Sequence, residues 1–288
     1  MSAILITGAN GQLGSELREL SKQYYGYEFV FTDIDTLDIT DPEKTSEYIS
    51  KLNPAWIVNC AAYNLVDRAE SEPEAAMKIN SHSVKNLTDA IKDTDCRFIH
   101  VSTDYIYGSR NNVPCSEDTE PDPESAYARS KLSGEKMALA HPSTIVIRTS
   151  WLYSSYGNNF VKTMMRLGSE KETLNVVFDQ TGSPTYAADL ADAIMKIISG
   201  VIRNLFAFKP GIYNYSDEGV CTWFDFATEI MKEAGKSCRV MPVLSRDFAQ
   251  AAKRPSYSVM DKSRIRENYN LEIPHWRTSL KKCISKLT

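Results

Sequence analysis

Along the first half of the chain, short apolar runs alternate with longer stretches in which apolar residues recur every three to four positions. Ala3-Ile4-Leu5-Ile6-Thr7 is a β-branched apolar run of strand type. It is followed by Leu13, Leu17 and Leu20 at i, i+4 and i+7, with Glu16, Arg18 and Glu19 between them, the face pattern of an amphipathic helix. A second strand is predicted from Glu28 to Thr32. A helix opens at Asp41-Pro42, with Asp as N-cap and Pro at the first helical position, and Ala55 to Ala62 reads as a buried strand. A helix from about Glu72 to Lys92 leads to a strand from Arg97 to Thr103, then a helix through Tyr127, then a strand from Thr144 to Ser150. This rhythm argues for an α/β fold built on a parallel, doubly wound sheet. The Pro-rich and acidic stretch Asn111 to Ser125 is the longest irregular loop. After Ser150 the pattern loosens. A strand is expected near Val176 to Phe178, a helix capped by Thr185 and ending near Ser199, and a helix from Trp223 to Ala234 behind a capping box of Thr222 and Asp225.

The turn after the first strand carries candidate chemistry. Gly8, Asn10, Gly11, Gln12, Leu13 and Gly14 form a G-x-x-G-x-x-G turn between strand and helix. Glycines there let the backbone turn tightly and approach a pyrophosphate, which then sits on the free N–H groups of the helix start. The spacing departs from the commonest G-x-G-x-x-G of the Rossmann fold, and a plain glycine-rich turn is the competing account. Asp33 ends the second strand, where an acid accepts hydrogen bonds from the ribose hydroxyls of NAD and repels the 2′-phosphate of NADP. A cap of the following turn is its other reading. The expected organisation is a Rossmann-like dinucleotide-binding domain over residues 1–150. Residues 151–288 would form a smaller, mainly substrate-binding C-terminal lobe, with some segments returning to the first domain.

Composition narrows the function classes. With 288 residues, 42% of them hydrophobic, and a net charge of −4, the chain can bury a full α/β core. No basic run interleaved with aromatics supports nucleic-acid binding. No apolar stretch reaches the roughly 18 residues needed to span a membrane, and no signal peptide precedes the first strand. The six cysteines are scattered without metal-type spacing to the four histidines, as expected of thiols in a reducing cytoplasm.

Tyr127 and Lys131 share a helix face at i and i+4, and Thr103 ends the preceding strand, so the three can converge on one point. A phenol is a poor proton carrier at neutral pH, and a neighbouring cation would favour its ionised form and lower its pKa. A solvated surface pair is the ordinary account of such spacing. Lys253-Arg254-Pro255 is a cationic spot able to meet a diphosphate, or a solvated basic loop. Trp151, directly after Arg148-Thr149-Ser150, is either a wall of the cleft or part of the core.

Taken together, ITGANGQLG, VNCAAYNLVDRAESEPEAAMKIN, VSTDYIYG, YARSKLSGE, RTSWLYSSYGNNFVKTM, DQTGSPTYAADLA and KRPSYSVMD resemble the extended short-chain dehydrogenase/reductase family. Within it, they resemble the dTDP-4-dehydrorhamnose reductases. The resemblance implies reduction, by NADH or NADPH, of the C4 ketone of a dTDP-4-dehydro sugar for surface-polysaccharide biosynthesis. It implies Thr103, Tyr127 and Lys131 as catalytic residues, with Tyr127 the proton donor. Gly11-Gln12-Leu13, Asp38-Ile39, Ala62-Tyr63-Asn64 and Ser102 would line the cofactor, and Thr103, Asp104, Trp151, Asn159, Gln180 and Arg254 would meet the sugar nucleotide. Some members form a homodimer around Mg²⁺ held by glutamates. Glu16 matches one such position, but the final Lys-Lys-Cys-Ile-Ser-Lys-Leu-Thr offers no carboxylate side chain, which speaks against a metal-bridged pair. Three alternatives remain in view: another nucleotide-sugar reductase, epimerase or dehydratase, the last disfavoured by Tyr105 where dehydratases carry Glu; a non-catalytic regulatory subunit of methionine adenosyltransferase; and an α/β binding protein without chemistry, which would make the convergent motifs coincidence.

Overall fold

The computed structural model describes residues 3–288. Its centre is a six-stranded, all-parallel sheet in which β1 (Ala3–Thr7), β2 (Glu28–Phe31), β3 (Trp56–Asn59), β4 (Arg97–Thr103) and β5 (Thr144–Thr149) are joined by a sixth strand, Gly211–Tyr215. The spatial order is β2, β1, β3, β4, β5, then the sixth strand. Strands β1, β3 and β5 are buried along their whole length, which explains their unbroken apolar runs, because helices cover both faces of a parallel sheet. One face carries α1 (Gln12–Ser21) and α8 (Ala187–Ile202), whose Leu13, Leu17, Leu190 and Ile194 pack on Ile4, Ile6 and Val58. The other carries α2 (Pro42–Leu52), α5 (Ser83–Ile91) and α6 (Ala126–Leu139), packed on Leu5, Ile57, Phe98 and Val146. Strand order reverses between β1 and β3, so a crevice opens at their carboxyl ends, the place where open α/β sheets take ligands.

The sixth strand pairs with β5 from Gly211↔Ile145 to Tyr215↔Thr149. It comes from the second half of the chain and was not expected as an element, because GIYNY is short and half polar. The remaining segments build a second cluster around Tyr153, Val161, Phe226 and Trp276, with a parallel pair of strands, Thr173–Val177 and Arg239–Val243.

Several local expectations fall as written. Asp41 accepts the Lys44 N–H at 3.1 Å, and Thr222 and Asp225 close a capping box at the head of Trp223–Glu233. Others shift. Thr185 is not the N-cap of α8; it lies in a short strand, and Tyr186 is the cap residue. The Glu72–Lys92 helix is interrupted: α4 (Pro73–Met77) and α5 flank a π-helical segment, Lys78–His82. Between β3 and α4 a single turn, α3 (Val66–Ala69), also forms. π segments insert one residue into a helix and re-aim its side chains. Here the re-aimed residue is Asn80, which holds the loop after β3 through Oδ1 to the Tyr63 N–H at 2.8 Å and Nδ2 to the Tyr63 carbonyl at 3.1 Å.

Candidate active site

At the end of β1 the chain turns at Gly8, whose φ of +63° suits glycine, and whose Cβ would lie 2.5 Å from the Ala61 nitrogen. Gly14 is equally tight, because a Cβ there would meet Ala9 Cα and Gly8 O at 2.5 Å. The two positions bring the turn against the β3 loop and seat α1 close to the sheet, which explains the glycine spacing. The Asp33 carboxylate accepts the Asn10 N–H at 2.8 Å and the Ile34 N–H at 2.8 Å, locking the turn to the end of β2. Thr7 Oγ1 donates to Asn59 Oδ1 at 2.6 Å. Asn59 Oδ1 also accepts the Ala61 N–H, so Asn59 Nδ2 donates to His100 Nδ1 at 3.1 Å. His100 is therefore neutral, consistent with the burial and the Lys131 charge that hold its pKa well below the usual imidazole range.

Two cavities meet over this floor. One, of about 480 Å³, is bounded by Gly8, Gly11, Asp33, Asp38, Ile39 and Ala62. The other, of about 390 Å³, is bounded by Ser102, Thr103, Asp104, Tyr127, Lys131 and Trp151, with Gly11, Gln12, Leu13 and Asn159 at its edge. Gly11, Cys60, Ala62 and Asn64 belong to both, so the two form one cleft. An elongated cleft with a glycine turn and an acid at one end fits a dinucleotide. Ser102 Oγ is buried there without a protein partner.

Ser125 caps α6 through the Ala128 N–H, and the helix places Tyr127 and Lys131 on the face toward β4. The Tyr127 hydroxyl lies 3.4 Å from Asn64 Oδ1 and within reach of the Thr103 hydroxyl. Its ring meets the Tyr105 ring edge-on at 5.6 Å. Lys131 is 2% exposed and donates to the Val101 carbonyl at 2.7 Å; burial lowers its pKa to about 8, opposed by the Glu135 charge. The expected lowering of the phenol by Lys131 is corrected here. Burial pushes the Tyr127 phenol up, and Asp104 adds to the rise, while the ammonium is directed at a backbone carbonyl. Burial likewise raises Asp104 to about 7, with Thr103 Oγ1 donating to it at 3.1 Å.

Not every expected residue reaches the cleft. The Tyr63 hydroxyl donates to Glu72 at 2.7 Å, so its ring turns away while Ala62 and Asn64 line the wall. Asn10 and Gly14 support the turn from outside the cavity. Gln180 is buried and donates to Ser245 Oγ at 2.9 Å. Arg254 is engaged by Asp67, with Nη1 at 3.0 Å and Nη2 at 2.6 Å from its carboxylate oxygens, because that acid on α3 is the nearest counter-charge to a half-buried guanidinium. Trp151 adopts φ +48° and stacks on Trp223 with centroids 3.7 Å apart. Both rings line the cleft, which joins the wall and core readings of Trp151. Trp223 was missed because it sits in an amphipathic helix and looks like core. Lys78, at the dinucleotide end, was missed because no sequence signal announces a π segment.

Glu16 is buried, accepts the Ser154 hydroxyl at 2.6 Å and faces Lys286 Nζ at 3.6 Å. The group facing Glu16 is a cation and not a second acid, a donor set that does not suit Mg²⁺. Among the described residues, no three His, Cys, Asp or Glu side chains are grouped as a metal seat.

The family model described as "RmlD substrate binding domain" matches residues 1–288. The spore coat polysaccharide biosynthesis protein SpsK of Bacillus subtilis is 37% identical, with 99% of this chain and 98% of that protein aligned. The dTDP-4-dehydrorhamnose reductase of Aggregatibacter actinomycetemcomitans is 36% identical, with 98% of each covered. The crystal structure of the Bacillus anthracis dTDP-4-dehydrorhamnose reductase in complex with NADP superposes with a TM-score of 0.93 at 38% identity, covering 99% of this chain and 100% of that one.

Proposed function

The chain belongs to the dTDP-4-dehydrorhamnose reductase family, and from that premise we propose that its cleft reduces the C4 ketone of dTDP-4-dehydro-β-L-rhamnose to dTDP-L-rhamnose. The observation that carries the reading is the convergence of Thr103, Tyr127 and Lys131 in a cavity continuous with the glycine turn.

When bound, a reduced nicotinamide supplies the hydride. Gly11, Gln12, Asp33, Asp38, Ile39, Ala62 and Asn64 would hold it, with Ser102 and Lys131 at the nicotinamide end. Both NADH and NADPH stay in the proposal. The Asp33 carboxylate disfavours a 2′-phosphate, whereas the B. anthracis relative was solved with NADP.

The chain's own groups handle the proton. Burial keeps the Tyr127 phenol protonated at neutral pH, which suits a donor to the oxygen that becomes an alkoxide at C4. The Thr103 hydroxyl lies beside the phenol and orients the reacting oxygen. At the sugar end, the stacked Trp151 and Trp223 rings offer a flat apolar wall for a deoxysugar face, with Asp104 and Asn159 as polar partners. Arg254 would serve the diphosphate by exchanging Asp67 for it. All six cysteines are free, as a cytoplasmic setting would have them, and no described helix is long and apolar enough to cross a membrane.

Tyr127→Phe tests the reading. It deletes the donor and keeps the ring, so turnover followed by reduced-cofactor absorbance should fall by about 10²-fold or more, with the Michaelis constant for the nucleotide sugar little changed. Near-normal turnover would reject Tyr127 as the acid.

A further inference from the structure

Two sequence motifs noted above carry residues that the reaction does not use: Glu135 at the end of YARSKLSGE, and Arg148 at the start of RTSWLY. The structure joins them. Arg148 Nε lies 3.0 Å from Glu135 Oε1, and Nη2 lies 2.8 Å from Oε2, with each side chain 2% exposed. The outer edge of the guanidinium is also held. Nη1 donates to the Tyr107 hydroxyl at 2.9 Å and to the Glu117 carbonyl at 3.3 Å, and Tyr107 in turn donates to Asn214 Oδ1 at 2.7 Å on the sixth strand. Arg148 sits opposite Ser102 in the β4–β5 register. The pair therefore fastens α6 to the two strands that form the floor of the reacting end.

Glu135 stands one helical turn beyond Lys131, on the same face. The other titratable groups that face the ammonium are Cys60 after β3 and His100 on β4, and Tyr127 precedes it by one turn on the same helix. All three are uncharged at neutral pH: burial raises the phenol, burial pushes the Cys60 thiol up to about 12, and burial together with Lys131 holds His100 low. Glu135 supplies the negative charge. Its bidentate partner holds the carboxylate in one orientation, as a planar guanidinium does.

We propose that Glu135, fixed by Arg148, is a positioning residue for the reduction: it is the counter-charge that keeps the buried Lys131 ammonium charged and directed at the Val101 carbonyl and the ribose end of the cofactor seat. The proposal rests on the role given to Lys131 above.

The test is the dissociation constant of reduced nicotinamide cofactor, measured by fluorescence from pH 6 to pH 10. Wild-type affinity should weaken above an alkaline limb set by Lys131. In Glu135→Gln that limb should move down by about one pH unit or more, the size expected when an opposite charge close by is lost. A purely structural role would lower the melting temperature and leave the limb in place. Because Glu135→Gln strands a buried cation, Glu135→Leu/Arg148→Met is made beside it; removing both charges together is the substitution buried ion pairs tolerate best, and a downward shift is again expected, smaller because the Arg148 charge leaves as well. An unmoved limb in either folded variant overturns the proposal. Lys131→Met separates the two claims. The limb should vanish in it, and a limb that persists unchanged would overturn the assignment of Lys131 itself, and the proposal with it.

Discussion

Gly134 is the point where α6 touches the π segment, and Gly134→Ala sets two effects of opposite sign against each other. Alanine gains about 1 kcal/mol over glycine in a helix interior, which alone would stabilise α6. The added Cβ, however, would lie 1.9 Å from the Asn80 carbonyl oxygen and 3.1 Å from its carbon. Ordinary contact needs more than 3 Å, so α6 and the π segment must separate by roughly 1.3 Å in a packed layer, and overpacking of this kind costs about 1–3 kcal/mol. Neither side yields easily. Asn80 is also bonded to Tyr63 twice and to Ser130 Oγ at 2.9 Å, and bonds strained by the shift add about 1 kcal/mol each. The steric side wins, leaving a net loss of about 3–5 kcal/mol, or roughly 6–20 °C in Tm for a chain of this size. Cofactor affinity should fall with it, because Asn80 sets the backbone between Ala62 and Asn64. Differential scanning fluorimetry with and without cofactor reads both effects. A variant as stable as wild type, or more so, would show that helix propensity prevails and that the π segment yields.

Two further outcomes follow from the charges in the cleft. Asp33→Ala should weaken NADH and improve NADPH binding, since it removes a ribose acceptor and a charge facing the 2′-phosphate; unchanged binding of both in titration calorimetry would remove Asp33 from cofactor choice. His100 is held neutral in the fold, so below about pH 6.5 the unfolded chain takes up a proton that the folded one refuses, and stability drains as pH falls. His100→Asn should flatten the loss between pH 7 and pH 5 seen in urea midpoints, and parallel midpoints for the two proteins would place the acid sensitivity elsewhere.

The sheet was legible where one physical cause acts alone. Buried parallel strands need apolar runs, and β1, β3 and β5 carry them in Ile4-Leu5-Ile6, Trp56-Ile57-Val58 and Ile145-Val146-Ile147. The sixth strand escaped because GIYNY places Asn214 in the sheet, and Asn214 is there for its bonds: it accepts from Tyr107 and donates to the Cys115 carbonyl at 2.9 Å. Those partners lie a hundred residues away in the chain, and no local pattern can announce them. Thr185 failed as a helix cap for a similar reason. The Tyr186 N–H is taken by Asp217 at 3.0 Å, so a tertiary carboxylate serves the helix start that a local side chain was expected to serve.

The proposed reacting groups could be picked out by residue type and spacing, but their electrostatics could not. Four residues along a helix put Tyr127 and Lys131 on one face, and sequence alone then suggests the simplest coupling, a cation lowering a phenol. Burial decides otherwise. Both groups lose water, and for each that loss favours the neutral form, so the phenol rises and the ammonium falls toward neutrality. Burial lowers the ammonium to about 8, and the Glu135 charge is the main influence that holds it up against a further fall. The carboxylate is four residues further along the same helix, in a motif whose spacing drew notice before its purpose was visible. Arg254 makes the same point outside the cleft, where a cation read as a phosphate contact is held by Asp67 through a bidentate pair. Sequence identifies the charge, and the fold determines which partner it faces.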